Sequence, residues 1–407
     1  MSYRVLRSAS SSTRVGGFDV VLASVVVALL GFGVVMVFSS SAIEATVRFD
    51  DPYRFFRRQG LFALVGAAIM LGGSYFDYQR LRPLTYPILI GVTVLLVLSV
   101  AGFGHSGGGA ARWLRLGPIH VQPSEMAKVA LILWLAYSLA KKQDRVKNFS
   151  VGMLPHLLMA GLLMLLCLKQ PDFGGAVVLL FLTFTLLFVA GARVGYLSLV
   201  GIVGVVAAAW LVRFKEYRWE RILAWMQMDE HRQDLAYQPF QSVMSFGSGQ
   251  WTGRGLGEGL QVLYLPEAHT DFIAAIVGEE LGFVGVLALC TAFLVLVARG
   301  VRIALRAPDE YGSYIAFGIS VFFGLQALIN LAVAMAMLPT KGLTLPFVSY
   351  GGSSLLVNAA AMAILLNISR SRTAYPQSAT ISGAATEVSA LVAESTRFGS
   401  QRRTARG

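Results

Sequence analysis

With 407 residues, 56% of them hydrophobic and only 14% charged, the chain carries too few charges for a soluble protein of its size and reads as a polytopic membrane protein. Its net charge of +12 is spread along the edges of apolar runs, a pattern that marks topology and headgroup contact and argues against a nucleic-acid partner. The two cysteines, Cys167 and Cys290, lie inside apolar runs, so no disulfide framework is implied.

A polar, basic leader over 1–17 precedes the first apolar run, 20–38, which is too long for a cleaved signal peptide and reads as a retained first span. Further runs of membrane-crossing length follow at 60–76 and 83–103. The fourth is centred on 129–140 and is long enough only if it takes in Ser124, Glu125 and Lys128. Runs at 151–168, 173–192 and 194–212 supply the fifth to seventh. After a polar connection of about 213–270 come 271–307, 311–338 and 342–368. The expectation is an all-α polytopic fold of ten transmembrane helices within a membrane domain of 18–370. An even number of spans puts both termini on one side, and the connections richer in Lys and Arg make that side cytoplasmic. The remainder, 371–407, is rich in Ser, Thr, Ala and Arg without an apolar period, and is expected to be a disordered cytoplasmic tail.

This orientation places the connection of 213–270 outside. Within it, 217–228 has the spacing of an amphipathic helix lying on the membrane. The glycines between Gly247 and Gly259 have neither a preceding strand nor a closing Gly-Lys-Ser, so they read as a flexible loop or close backbone packing rather than a nucleotide loop. No internal repeat is evident, which weighs against an inverted-repeat transporter.

Ionisable groups at membrane depth are costly and are functional candidates by default. Lys128 stands one turn after Glu125, where an i, i+3 pair neutralises both, and holding the helix in place explains it as well as chemistry does. Asp172 opens the sixth span, where a helix cap explains it equally well. Gln326 and Asn330, four residues apart, suit hydrogen bonds to each other or between helices. The segment from Leu345 to Ser354, with a proline, two glycines and serines at membrane depth, implies broken backbone lining protein or water. Arg299, Arg302 and Arg306 read as headgroup anchors. A polar cluster of Glu267, His269, Thr270 and Asp271 precedes an apolar helix that carries Glu279 and Glu280. At about 100° per residue, Asp271 heads a face shared with Ala275 and Gly278, which is the shape of a groove with one charge at its mouth. A helix cap and a catalytic base both fit that position.

These motifs together carry a resemblance. Arg112-Trp113-Leu114, Gln122-Pro123-Ser124-Glu125 with Lys128, Gln170-Pro171-Asp172, Leu265 through Phe272, Gly278-Glu279-Glu280-Leu281-Gly282 and Ser349 through Ser354 occur in the order found in the SEDS family (shape, elongation, division and sporulation), which this sequence resembles over about 18–370. The run from Leu338 to Pro346 looks like the cell-division branch more than the elongation branch, although alanines between Asn330 and Ala336 and the Gln250-Trp251-Thr252 interruption depart from the pattern.

The resemblance implies a peptidoglycan glycosyltransferase that polymerises lipid II into β-1,4 glycan strands at the outer face of the bacterial inner membrane, at the division septum. It also implies a class B penicillin-binding transpeptidase and other divisome membrane proteins as partners. Carried over by motif, Asp271 is the catalytic residue, and Lys128, Glu125 and Asp172 form the polar cluster near the substrate cavity. Arg112, Gln122, His269, Glu279 and Ser349 complete the expected substrate contacts. An α-linked diphosphate donor giving a β-linked product requires one inverting displacement, for which a single carboxylate base suffices when the leaving diphosphate is neutralised. Lys128, Arg112 or a divalent cation (Mg or Mn) would neutralise it, although no ligand spacing demands a metal. Two other readings compete: a flippase for the lipid-linked precursor, favoured by polar groups inside the membrane, and a non-catalytic division scaffold.

Overall fold

In the computed structural model, which describes residues 14–107, 110–116, 119–214, 216–340 and 342–372, helices dominate and two units separate. The larger spans 17–370. Of the smaller, made of 1–16 and 371–407, the described part is a two-residue antiparallel pairing of β1 (Arg14–Val15) with β5 (Ser371–Arg372). The expected disorder of 373–407 lies outside the described residues.

The helices of the larger unit are α1 (Val20–Phe49), α2 (Arg54–Gly73), α3 (Leu81–Leu98), α4 (Pro123–Lys141), α5 (Leu154–Lys169), α6 (Phe173–Val189), α7 (Val194–Arg213), α8 (Glu216–Met226), α9 (Tyr237–Gly249), α10 (Ile273–Leu305), α11 (Glu310–Ala334) and α12 (Gly352–Arg370). A helix stands at each of the ten expected spans, but among the described residues only seven are long and apolar enough to cross a membrane by length and composition. Two of the other three fall short for readable reasons: Glu125 and Lys128 lower the apolarity of α4, and α6 has only 17 residues. The chain is polytopic, and a count of ten spans goes beyond what length and apolarity establish.

The boundaries show which local forces decide. The first helix continues past the expected stop at Phe38 because Ser40 and Ser41 turn their hydroxyls back onto the Met36 and Val37 carbonyls at 2.7 and 2.6 Å, hiding their polarity within the helix. At 30 residues and about 1.5 Å per residue it is longer than the hydrocarbon core is thick, so one end projects with Glu44 and Arg48. The expected helix at 217–228 is α8, pinned where Trp225 Nε1 donates to the Ala336 carbonyl at 2.7 Å. By contrast α9 was not expected, nor was the antiparallel sheet of β2 (His105–Gly107), β3 (Ala110–Leu116) and β4 (Ile119–Val121). The last span starts at Gly352 rather than 342, because 343–351 is the broken backbone that its proline and glycines imply.

Packing places α11 and α12 at the centre, with 61% and 67% of their apolar windows buried in protein against 17% for α2. Close approach depends on small residues, as expected where lipid is as apolar as the helix surface. A Cβ on Gly33 of α1 would stand 2.5 Å from the Phe347 carbonyl oxygen and 2.7 Å from Val348 Cα. The bare glycine therefore lets α1 lie directly on the irregular 343–351 segment.

Candidate active site

The segment entering α10 is folded by one strained residue. Glu267 adopts φ 58°, an uncommon conformation outside glycine, and its carbonyl oxygen thereby accepts from the N–H groups of Thr270, Asp271 and Phe272 at 3.1, 3.2 and 3.3 Å. Thr270 Oγ1 adds a bond to Glu267 Oε2 at 2.8 Å. The three carbonyls after this turn are then held from the bundle's central elements. Tyr350 N donates to the His269 carbonyl at 2.9 Å, Ser349 Oγ to the Thr270 carbonyl at 2.6 Å, and Asn330 Nδ2 to the Asp271 carbonyl at 2.9 Å. Asn330 Nδ2 also donates to the Leu343 carbonyl at 2.6 Å. Asp271 is partly exposed, whereas every residue from Phe272 to Glu280 is buried. The N-cap position of α10 is taken by Phe272, whose own side chain makes no capping bond, and Asp271 stands one residue before it.

A second polar group is carried by α4 and α11. Lys128 Nζ meets Glu125 Oε1 at 2.6 Å, both residues are buried, and Gln326 Nε2 lies 3.4 Å from Glu125 Oε2. The i, i+3 pair is therefore formed, and Phe322 lies under the ammonium with its ring centroid at 5.6 Å. Gln326 and Asn330 stand one turn apart on α11 and bond outward rather than to each other, which links the Lys128–Glu125 pair to the Asp271 turn through one helix face. The start of α4 joins the same end of the bundle, where Gln122 N donates to Ser353 Oγ at 3.1 Å and Gln122 Nε2 to Ser124 Oγ at 3.2 Å.

The other candidates divide. Asp172 is the cap of α6, its Oδ1 accepting from Gly175 N at 2.8 Å, and a Cβ on Gly174 would meet Leu343 Cγ at 2.8 Å. It thus lies beside the segment that Asn330 holds. The Ser349 hydroxyl serves two backbone groups, donating to Thr270 and accepting from Leu345 N at 2.8 Å. Glu279 lies inside α10, fully buried, and its carboxylate accepts from Leu260 N at 2.9 Å and from Gln261 N at 3.1 Å, so it fastens the glycine-rich loop instead of facing the Asp271 turn. Next to it Glu280 accepts from Ser39 Oγ at 2.6 Å. His269 packs its ring on Phe55 and Tyr350, with centroids at 4.8 and 5.5 Å, and its Nδ1 is 3.5 Å from Glu44 Oε2. Burial lowers the His269 pKa, while Glu44 and Glu267 pull it back up. The Arg112 side chain lies outside the described residues.

Sequence reasoning passed over Gln59, whose Nε2 reaches the Ser349 carbonyl at 3.3 Å from a fully buried position. Gln59 directly follows Arg57 and Arg58 in the polar first turns of α2, so its sequence position gave no separate signal. The buried amide oxygens of Gln59, Gln326 and Asn330 find no hydrogen-bond partner, so unmet acceptors flank the same region. Among the described residues no group of three or more His, Cys, Asp or Glu side chains converges as a metal site.

Comparison with known proteins gives a consistent answer. A family profile described as Cell cycle protein, named for FtsW, RodA and SpoVE, matches residues 20–374. A probable peptidoglycan glycosyltransferase FtsW from Geobacter sulfurreducens is 47% identical over 354 residues, covering 86% of this chain and 95% of the relative. One from Legionella pneumophila is 39% identical over 356 residues, covering 86% and 90%. Among solved structures, a chain from a study of the structural coordination of polymerization and crosslinking by a peptidoglycan synthase complex superposes with TM-score 0.71 at 30% identity, covering 88% of this chain and 99% of that one. The crystal structure of the Thermus thermophilus rod shape determining protein RodA gives 0.64 at 30% identity, covering 87% and 97%.

Proposed function

The chain belongs to the cell cycle protein family of FtsW, RodA and SpoVE, and from that membership we propose that it is a division-type peptidoglycan glycosyltransferase in which Asp271 is the general base. The names of the relatives favour this over the flippase and scaffold readings. The observation that carries the residue assignment is the grip on three successive carbonyls, His269, Thr270 and Asp271. A carboxylate at the accessible end of a buried helix is thereby fixed by its backbone, which suits a base that has to meet a sugar hydroxyl within about 3 Å.

In this reading the substrate is lipid II, bound from the outer leaflet. Asp271 takes the proton from the acceptor 4-hydroxyl as its oxygen displaces the diphosphate at the donor anomeric carbon, inverting it. Lys128, by exchanging Glu125 for the leaving group, and Arg112 supply positive charge where negative charge develops. Gln326, already near Glu125, keeps the displaced carboxylate partnered. Gln122 and Asp172 border the diphosphate region, His269 and Glu44 the acceptor side, and Ser349 and Glu279 act by positioning. A divalent cation would have to draw most of its ligands from the diphosphate, and no step here depends on one. The superposition on a polymerization and crosslinking complex supports a class B penicillin-binding transpeptidase as partner, with the septum as the site of action and other divisome membrane proteins alongside.

Purified Asp271→Asn given lipid II tests the assignment. General-base loss should lower strand formation by about 10²-fold or more with an unchanged melting temperature. Strands formed at the wild-type rate would remove Asp271 from the mechanism.

A further inference from the structure

At the opposite end of α11 from Asn330 lies a polar cavity of about 430 Å³ lined by Arg82, Tyr137, Lys141, Gln143, Asp309, Glu310 and Tyr311 with Ala140, within the roughly 300–1,000 Å³ typical of small-molecule sites. Glu310 opens α11 and Asn330 stands one turn before its end at Ala334, and at about 1.5 Å per residue the two are about 30 Å apart, the thickness of a bilayer core. The cavity is therefore at the other membrane surface from the Asp271 turn, where helix ends meet headgroups.

Its charges are unequally engaged. Asp309 is saturated: it caps α11 by accepting from Gly312 N at 3.1 Å, takes the Tyr78 hydroxyl at 2.6 Å and Gln79 Nε2 at 3.1 Å, and pairs with Arg82. Arg82 in turn lies over the Tyr311 ring at 4.9 Å and remains partly exposed. Lys141 stands over Tyr137 at 5.9 Å, and Glu310 is exposed. Among the described residues no ion pair joins Lys141 or Glu310 to each other or to any third group. An ammonium and a carboxylate that line one cavity without meeting call for a ligand carrying both signs, with its anion toward Arg82 and Lys141 and its cation toward Glu310.

We infer that this cavity binds a zwitterionic phosphoethanolamine group, supplied by a phospholipid of the leaflet opposite the Asp271 turn, with the phosphate at Arg82 and Lys141 and the ammonium at Glu310. Basic pockets between helix ends take lipid headgroups, and the added carboxylate selects a primary ammonium, which donates hydrogen bonds, over glycerol or a trimethylated amine, which cannot pair with it in that way. The inference does not depend on the catalytic assignment, and its test uses no activity.

The delipidated full chain is offered equal amounts of short-chain phosphatidylethanolamine, phosphatidylglycerol and phosphatidylcholine, and retained lipid is read by native mass spectrometry. The wild type should retain phosphatidylethanolamine about two- to fivefold over the others, the range of one partly exposed ion pair. Glu310→Gln should bring that ratio to about one, and Lys141→Gln should lower retention of both phosphatidylethanolamine and phosphatidylglycerol. A parallel arm with free O-phosphoethanolamine separates the sources: capture of the lipid alone assigns the ligand to the membrane, whereas capture of the free compound without the lipid assigns it to the aqueous phase and overturns the lipid source. Equal retention of the three lipids by the wild type, or a ratio that neither variant changes, overturns the site itself.

Discussion

At the scale of single residues, Lys128 and His269 separate charge that serves structure from charge available to chemistry. Lys128 and Glu125 are both buried and 2.6 Å apart, so removing one partner strands the other. Lys128→Met should lower stability by about 3–5 kcal/mol, while Lys128→Met with Glu125→Leu should recover most of it. Thermal unfolding in detergent reads both, and a double variant still inactive in strand formation would separate the catalytic part of Lys128 from its structural part. His269 makes a pH prediction. Its folded pKa lies below the ordinary value of about 6.5 because burial opposes the charge more than Glu44 and Glu267 favour it, with Arg48 adding to the opposition. The unfolded chain therefore binds the proton more readily, and stability from this residue is complete above about pH 6.5 and declines as pH falls below it. His269→Phe should flatten the melting temperature between about pH 5 and 7, and a slope unchanged by that variant would assign the dependence elsewhere. The sequence made the residue types of this site visible, since acids beside lipid stand out. It did not reveal that Ser349 and Asn330 would spend their polar atoms on carbonyls of a distant turn, because such pairings are long-range and leave no period in the chain.

At the scale of elements, the defects in the helices are where the site is built. At Gly282 (φ 65°) α10 kinks, and the N–H groups of Phe283 and Val284 are taken by the Gln250 and Trp251 carbonyls at 2.8 and 3.2 Å. In the same region Arg254 N and Gly255 N return bonds to the Glu279 and Glu280 carbonyls, each at 3.0 Å. The glycine-rich loop is thus a splint across a broken helix, and its glycines serve close backbone packing: a Cβ on Gly253 would stand 2.1 Å from the Glu280 carbonyl oxygen. Periodicity located the helices well where one face was apolar throughout, and failed at the sheet of β2 to β4 and at α9, where short segments gain their hydrogen bonds and burial from neighbours rather than from a repeating pattern. The contact of α1 with 343–351 gives an element-scale test with an internal control. Gly33→Ala should destabilise by about 1–3 kcal/mol, because its Cβ would press on the Phe347 and Val348 backbone. Gly31→Ala, on the same helix with nothing within 4 Å, should be neutral or stabilising by up to about 1 kcal/mol. Equal melting temperatures for the two variants would mean that α1 does not rest on that segment.

At the scale of the whole molecule, orientation follows from which helix ends meet. The starts of α4, α10 and α12 gather at one end through Gln122 with Ser353, Tyr350 with His269, and Asn330 with Asp271. The finish of α4 and the start of α11 gather at the other, where Tyr137 and Lys141 face Glu310 and Tyr311 across one cavity. Helices of this length span about 30 Å between the two groups, so the Asp271 turn and the Lys141 cavity belong to opposite aqueous phases whatever the total number of spans. The excess of Lys and Arg on the inner connections is the ground on which we propose that the cavity faces the cytoplasm and the turn the exterior, the side on which a polymer has to be made if it is to join the wall. Tyr264→Cys and Gln143→Cys place one thiol in each exposed region, and an impermeant thiol reagent applied to intact spheroplasts decides between them. Tyr264→Cys should label before lysis and Gln143→Cys only after it, over a low background because Cys167 is fully buried and Cys290 half-buried in apolar helix. Labelling of both thiols before lysis would contradict the spanning role of α4 and α11. The reverse order would place Asp271 in the cytoplasm, where an acid could neither meet an externally presented glycan nor act as the base for its extension.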